Sequence, residues 1–302
     1  MDWDKLKTFH AAAEAGSLTG AAELLHLSQS AVSRQISSLE EDLGVRLFHR
    51  HTRGLLLTEP GRVLFESASQ VAKTVTTAES KLVDIRDEPS GVLRVTAPTA
   101  FGALWLMPRL AKFREAFPNI HLRLLLVDHE LDVSNLEADL AIRPWPPTQN
   151  DLIQKKLMNV GQHLYASQNY LDAHDAPQSL SELTGHNLLA YGPRNMAPIP
   201  HLNWHLKAGL QTGEAPREAV LEVNTINALM CGIEAGLGIA GLPDYVASSS
   251  DKLVRLLEDE PGPEFETYLV YPEELKGSRR VAAFIEFLTG EVARFKATDA
   301  AD

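Results

Sequence analysis

Five polar side chains share one face of a short predicted helix near the N-terminus. The stretch from Ser28 to Glu41 reads SQSAVSRQISSLEE, and its apolar residues Val32, Ile36 and Leu39 recur at helical spacing. The opposite face and the first turn carry Gln29, Ser30, Ser33, Arg34 and Ser37. Short hydroxyls allow a helix to lie deep in a major groove, and Gln and Arg have donors that can read base edges or bind phosphate. Each residue alone is equally well explained as solvated surface; the set together indicates a DNA-recognition helix.

The flanking sequence supplies the elements that would position this face. Apolar residues recur at helical spacing from Leu6 to Gly16, where the glycine would end a first helix. Ser17 and Ser28 each offer a side-chain oxygen that can cap the helix that follows, and Gly44 would end the third helix. Two short helices joined by a tight turn, the second capped and amphipathic, predict a helix-turn-helix.

A hairpin with arginines is predicted directly after the third helix. The sequence VRLFHRHTRGLLLTEPG alternates like a strand and carries Arg50 and Arg53, which a two-stranded wing would lay along the DNA backbone. Thr58 then caps a further helix, and Pro60 is tolerated in its first turn. Scattered surface charge is the alternative explanation for each arginine by itself.

The next predicted helix carries a stripe of apolar residues that could form a coiled-coil seam with a second chain. From Arg62 to Arg86 there is no glycine or proline, and apolar residues alternate spacings of four and three. They are Leu64, Ala68, Val71, Val75, Ala78, Leu82 and Ile85. This a/d pattern over about three heptads favours a coiled coil, and therefore a dimer. An amphipathic helix lying on its own domain is the alternative, but paired recognition helices need a two-fold axis.

Composition limits the class of protein. A chain of 302 residues is long enough for two domains, and its 44% hydrophobic and 23% charged residues are typical of a globular protein. The net charge of −12 argues against coating nucleic acid through charge alone, but allows a local basic surface. We find no apolar run of the roughly 20 residues that a bilayer span needs and no secretory signal, so we expect a cytoplasmic protein without a membrane partner.

The C-terminal two-thirds alternate strand-like and helical runs. Residues 87–91 read DEPSG, which predicts a hinge. Beyond it we expect strands at 92–97, 120–127, 138–142, 163–166, 187–191, 219–223 and 267–271, with a helix over WLMPRLAKFREAF. This alternation predicts a parallel sheet flanked by helices.

The run from Leu6 to Gly61, above all GSLTGAAELLHLSQSAVSRQISSLEEDLGVRLFHR and RGLLLTEPG, resembles the LysR-type transcriptional regulators. The resemblance implies an α+β multidomain protein: a mainly α winged helix-turn-helix at 1–60, a linker helix at 61–88, and a C-terminal α/β effector domain at 92–302. That domain would resemble periplasmic binding proteins, with one subdomain at about 92–161 and 266–302 and the other at about 162–265.

The family's DNA-facing positions fall on residues of this chain that match its motif. They are Gln29, Ser30, Ser33, Arg34, Arg50 and Arg53. Position 30 is often proline in relatives, where the ring fixes φ at a helical value. Ser30 lacks this constraint but adds a hydroxyl that can donate a hydrogen bond. The partners implied are double-stranded DNA with an inverted-repeat operator, a small-molecule effector, and further copies of the chain as a homodimer or homotetramer. RNA polymerase is a further partner that the resemblance allows.

Candidate effector contacts lie where strands end and helices begin. The strand at 92–97 is followed by Thr99, Ala100 and Phe101, and this loop contacts the effector in the family. Thr99 and the backbone N–H groups after it would form a small anion-binding site. The other candidates are Arg143, Asn224 and Thr225. Taken singly, Thr99 and Thr225 are better explained as helix caps, and a surface ion pair is the alternative for Arg143. If Arg143 points inward, an anionic effector such as a carboxylate metabolite would follow.

Other classes have little support in the sequence. We find no catalytic constellation, no metal-ligand spacing among the histidines, and no phosphate loop, so neither an enzyme nor a cofactor is expected. Gly236 to Gly241 match G-x-G-x-x-G, but the sequence predicts a helix before the glycines and a strand after them, the reverse of the order in a dinucleotide site. A solute-binding protein would leave residues 1–60 without a purpose. Cys231 is the only cysteine. It could act as a redox-sensing thiol, or it could be a buried side chain that only fills space in the core.

Overall fold

The computed structural model describes residues 2–51, 54–83, 88–128, 138–146, 152–192, 197–260 and 262–299. The chain divides into two compact units, Met1–Leu82 and Val83–Asp302. Each unit has its own hydrophobic core.

Three capped helices open the N-terminal unit, as the sequence predicts. They are α1 (Trp3–Ala15), α2 (Leu18–Leu25) and α3 (Gln29–Leu43). The hydroxyls of Ser17 and Ser28 accept the backbone N–H groups of Gly20 and Ala31. Gly16 and Gly44 end α1 and α3 in the left-handed conformation that glycine adopts at low cost. Local sequence therefore sets the boundaries of the helix-turn-helix.

A two-stranded wing follows, formed by β1 (Phe48–His51) and β2 (Gly54–Leu57) in antiparallel register. The backbone N–H of Leu55 donates to the carbonyl of Gly16 at 2.9 Å, which ties the wing to the end of α1. Thr58 caps the next helix, α4 (Glu59–Val83), by accepting the N–H of Gly61 at 3.0 Å.

The predicted seam of α4 divides into two parts. Ala68 is buried and Leu64 half-buried against the core of their own unit. Val71 and Val75, one and two turns further on, are 39% and 38% exposed. The backbone at Leu82 is helical but its side chain is not described, and Ile85 lies outside the described residues. The first turns of α4 thus pack within the chain, and the middle turns leave apolar side chains in solvent.

The C-terminal unit contains a mixed five-stranded sheet, in the order β4-β3-β5-β12-β6. Its strands are β3 (Gly91–Ala97), β4 (Ile120–Leu126), β5 (Leu140–Arg143), β6 (Leu152–Val160) and β12 (Phe265–Pro272). β3 runs parallel to β4 and β5, whereas β12 is antiparallel to β5 and β6. Four of the strands, β3, β4, β5 and β6, therefore run in one direction, and the expectation of a parallel sheet is wrong for β12, which runs the opposite way.

A second layer of strands lies in the same unit. β10 (Ala240–Pro243), β7 (Gln162–Ser167) and β11 (Leu253–Leu256) pair antiparallel, while β8 (Leu189–Tyr191) and β9 (Leu221–Val223) pair parallel. The chain passes from β6 in the first sheet to β7 in the second at Gly161, and it returns to the first sheet at β12. β6 and β11 were not predicted as strands. Both are edge strands, and their charged residues interrupt the apolar pattern by which strands are recognised in a sequence.

Helices cover the sheets of the C-terminal unit. A continuous helical segment follows β3: a π-helical turn (Phe101–Leu106), a 3-10 turn (Met107–Arg109) that contains Pro108, and α5 (Leu110–Ala116). The other α-helices are α6 (Gln168–Ala173), α7 (Ile226–Glu234), α8 (Asp244–Ala247) and α9 (Arg279–Asp299). Further 3-10 turns lie at Leu180–Gly185, Trp204–Leu206 and Glu273–Leu275.

One buried cluster joins the two layers. It includes Phe101 and Trp105 from the segment after β3, and Tyr191 and Tyr245 from the second layer. The rings of Phe101 and Tyr245 meet edge to face, with centroids 5.4 Å apart. The ends of β3 and β10 are therefore brought together by aromatic packing.

Candidate functional site

Helix α3 presents the polar face that the sequence predicts. Val32, Ile36 and Leu39 are buried in the core of the N-terminal unit. On the other side Gln29, Ser30, Arg34 and Ser37 are exposed and Ser33 is half-buried. The helix can therefore place its polar face against a ligand without disturbing its core.

Arg34 is held along its own helix. Its Nε donates to the carbonyl of Ser30 at 3.3 Å, one turn earlier. This contact uses one donor of the guanidinium, and the fork at its end remains able to form bidentate contacts with a base or a phosphate. At the start of α3 the hydroxyls of Ser28 and Ser30 lie 3.0 Å apart.

The wing is fixed to α3 by a carboxylate that the sequence analysis did not identify. Glu40 Oε1 accepts the backbone N–H groups of Leu47 and Phe48, at 2.7 and 3.2 Å. The hydroxyl of Thr58 also donates to the carbonyl of Arg46 at 2.7 Å. Of the predicted wing arginines, Arg50 lies in β1 with its side chain not described, and Arg53 lies outside the described residues.

In the C-terminal unit, the backbone N–H of Thr99 already has a partner. It donates to Oδ1 of Asp128 at 2.8 Å. Asp128 follows β4 and Thr99 follows the parallel strand β3, so both lie at the carboxyl edge of the sheet, where ligands bind in such folds. Ala100 and Phe101 are buried directly beyond Thr99.

Two tyrosines of the second layer share a buried cluster with Phe101. Tyr191 ends β8 and is 3% exposed, and Tyr245 in α8 is 2% exposed. Burial, and secondarily the charge of Asp128, raises the pKa of both tyrosines. Neither Tyr191, Tyr245 nor Asp128 was singled out from the sequence. Asp128 could have been found by the strand-end rule that selected Thr99, whereas nothing local marks the tyrosines.

Arg143 is buried at the end of β5, so it is not the surface residue that one alternative from the sequence assumed. Its Nη1 donates to the carbonyl of Ile142 at 3.1 Å and its Nη2 to the hydroxyl of Thr96 at 3.3 Å. These donors of the guanidinium serve the sheet to which Arg143 belongs.

The remaining predicted residues lie where α7 begins. Thr225 caps α7 by accepting the N–H of Ala228 at 3.2 Å, which is the cap considered from the sequence. Asn224 is exposed beside it. Asn227, in the first turn of α7, has a buried side-chain oxygen that accepts no hydrogen bond from any described residue.

Three other features of the sequence can now be placed. The glycines from Gly236 to Gly241 follow α7 and lead into β10, the order expected for packing rather than for a dinucleotide. Cys231 is exposed on α7, so the alternative of simple buried packing is wrong. Throughout the described ranges, no helix combines the length and the apolar character needed to cross a membrane.

Comparison with known proteins adds independent observations. Residues 3–62 match the family model "Bacterial regulatory helix-turn-helix protein, lysR family", and residues 86–293 match "LysR substrate binding domain". An HTH-type transcriptional regulator of Xanthomonas campestris is 32% identical over 91% of this chain and 81% of its own. The regulator CrgA of Neisseria meningitidis is 30% identical over 96% of both chains.

Solved structures agree with these matches. The structure of CrgA, a LysR-type transcriptional regulator, covers 97% of this chain and 99% of its own, with a TM-score of 0.60 and 29% identity. Full-length CbnR complexed with its target DNA has a TM-score of 0.63 over 96% of this chain and 100% of its own. At 22% identity, the CbnR comparison shows the fold alone.

The two family models together cover most of the chain, and the relatives are similar over nearly their whole length. The chain belongs to the LysR family of bacterial regulators and is a DNA-binding transcriptional regulator, not an enzyme, with a C-terminal effector-binding domain.

Proposed function

We propose that this regulator recognises an inverted-repeat operator as a homodimer or a higher homo-oligomer, and that a small molecule bound in the C-terminal unit changes the arrangement of the oligomer on DNA. The observation that carries the first part is the exposed polar face of α3, opposite its buried apolar stripe. A second regulator of this fold, CbnR, has been crystallised with its target DNA.

In this proposal α3 enters the major groove with Gln29, Ser30, Ser33 and Arg34, and Ser37 lies further along the same face. Arg50 and Arg53 of the wing contact the phosphate backbone. Residues 1–60 form the DNA-binding domain and 61–88 the linker helix. The exposed Val71 and Val75 support pairing of two linker helices, because apolar side chains at a/d spacing are buried in a coiled coil.

The effector would bind between the two layers of the C-terminal unit, which we divide into subdomains at 92–161 with 266–302 and at 162–265. Candidate contacts are Thr99, Ala100, Phe101, Arg143, Asn224 and Thr225, which lie at or near strand and helix ends. A ligand can shift the oligomer only if it binds two arrangements unequally. RNA polymerase is the natural further partner of a regulator that activates transcription.

The test is selection of bound fragments from genomic DNA at physiological salt, with wild type, Ser33→Glu and Ser67→Glu. Ser33→Glu places a carboxylate on the recognition face, where repulsion of phosphates should abolish enrichment. Ser67→Glu is a matched control, because Ser67 is an exposed serine on α4. We expect wild type and Ser67→Glu to enrich one two-fold symmetric motif. Equal enrichment by Ser33→Glu would exclude α3 as the recognition helix.

A further inference from the structure

The C-terminal unit holds a carboxylate that has no counter-ion among the described residues, at the edge where its strands end. Asp128 is half-buried, and its Oδ1 accepts the N–H of Thr99 at 2.8 Å. Among the described residues, no lysine, arginine or histidine forms an ion pair with it. A carboxylate removed from water is costly unless it is paired, so this group favours a ligand that supplies positive charge.

Two phenol hydroxyls of the second layer are available to a ligand. The side chains of Tyr191 and Tyr245 are almost fully buried, but their hydroxyls reach the surface and form no hydrogen bond with any described residue. A ligand that enters from solvent can therefore form hydrogen bonds with them. Tyr191 and Tyr245 share a buried cluster with Phe101, and the ring of Tyr245 contacts that of Phe101, two residues beyond the Thr99 that binds Asp128. The charge of Asp128 also adds to the larger effect of burial in raising the pKa of both phenols. We therefore assign the three groups to one site.

Three of the donors that an anionic ligand could use are already engaged. The N–H of Thr99 is bound by Asp128, and two donors of Arg143 serve the carbonyl of Ile142 and the hydroxyl of Thr96. An anion at this edge would therefore meet a carboxylate in place of the N–H of Thr99. These contacts weigh against the anionic effector that an inward-pointing Arg143 would have indicated.

The aromatic lining also suits a cation. The ring of Tyr245 packs edge to face on Phe101, and the negative face of an aromatic ring attracts a nearby cation. A divalent metal is a poorer fit, because Ca²⁺ takes six to eight oxygen ligands and one carboxylate with two neutral phenols supplies too few. An uncharged donor could bond to Asp128 but would leave its charge unpaired.

We propose that the effector of this regulator is an organic cation, an amine or amidine, whose nitrogen is bound by Asp128 with the phenols of Tyr191 and Tyr245. The inference rests on the proposed function in assuming that the effector binds between the two layers. It goes further in stating the charge of the effector and the residues that select it.

The experiment measures binding to the full chain by calorimetry, without DNA, using two sets of probes matched in shape. One set is benzylamine, benzyl alcohol and benzoate; the other is cadaverine, pentanediol and glutarate. We expect the amine of at least one set to bind at least about tenfold more tightly than its acid, the effect of one charge-assisted contact. Asp128→Asn keeps an acceptor for Thr99 and should abolish this preference.

Asp251→Asn is the control, because it removes the same charge from an exposed position of the same unit. It should keep the preference for the amine. If Asp128→Asn does not fold, Tyr245→Phe provides a second test and should weaken amine binding several-fold. Tighter binding of the acids, binding of no amine, or an equal preference in wild type and Asp128→Asn would overturn the proposal. Operator enrichment is measured separately. If the operator is enriched but no cation is bound, the proposed DNA-binding function stands and the cation proposal fails. If a cation is bound but no operator is enriched, the cation proposal stands and the proposed function fails.

Discussion

The backbone N–H of Thr99 donates to the carboxylate of Asp128 at 2.8 Å. The contact joins the ends of two parallel strands, β3 and β4, and places a negative charge where the sequence predicted a site for an anion. A helix start offers N–H donors to any anion, and here a side chain of the chain itself accepts one of them. The chemistry of this edge is consequently decided by Asp128.

The phenol of Tyr245 should serve binding rather than stability. Tyr245→Phe removes a hydroxyl that reaches solvent and forms no hydrogen bond with a described residue, so the free energy of unfolding should change by less than about 0.5 kcal/mol. Thermal unfolding of the full chain without ligand would show an unchanged Tm. The same variant should bind benzylamine more weakly. A lower Tm together with unchanged amine binding would show that the hydroxyl has only a structural role.

Glu40 should position the wing relative to α3. Glu40→Ala leaves the N–H groups of Leu47 and Phe48 without their acceptor and should cost about 2 kcal/mol locally. Hydrogen exchange followed by mass spectrometry should show faster exchange at these two amides, with weaker operator binding. Glu40→Gln retains an amide oxygen and should restore most of the protection. Unchanged exchange in Glu40→Ala would contradict a role for this carboxylate in holding the wing.

Arg34 should contribute to both affinity and its dependence on salt. If the guanidinium contacts a phosphate, Arg34→Ala should reduce the slope of log K against log salt by about one, whereas Arg34→Lys should preserve it. If the guanidinium reads a base, operator binding should fall by roughly ten- to a hundredfold in both variants, with relaxed preference at one base pair. Operator titrations at several salt concentrations distinguish these cases, and no change in either quantity would remove Arg34 from the interface.

The exposed valines of α4 should be needed for association. Val75→Asp places a charge in the predicted seam and should shift the chain toward monomer in sedimentation velocity. Val63→Asp is the matched control, because Val63 lies on the same helix outside the a/d positions and is 63% exposed. Association that survives Val75→Asp would show that the oligomer forms through another surface.

The N-terminal unit was largely predictable because local interactions set it. Ser17 and Ser28 cap helices by bonding to N–H groups three residues away, and Gly16 and Gly44 end helices through their own backbone conformation. The apolar stripe of α3 likewise follows from a period that can be read from the sequence. Hydrogen bonds and backbone preferences within a few residues therefore determined the helix-turn-helix. The family resemblance indicated that it binds DNA.

The effector site depended on contacts between distant parts of the chain. Thr99 meets Asp128 because β3 and β4 are adjacent and parallel, and Phe101 meets Tyr245 because the strands of the second layer bring α8 to the same place. The sequence identified β3 and β4 as strands, but not the pairing that makes Asp128 the partner of Thr99. The sequence by itself thus determined most of the elements, including the DNA-facing helix. Only the tertiary structure decided that Asp128 brings a negative charge to the site, because this depends on which strand ends meet.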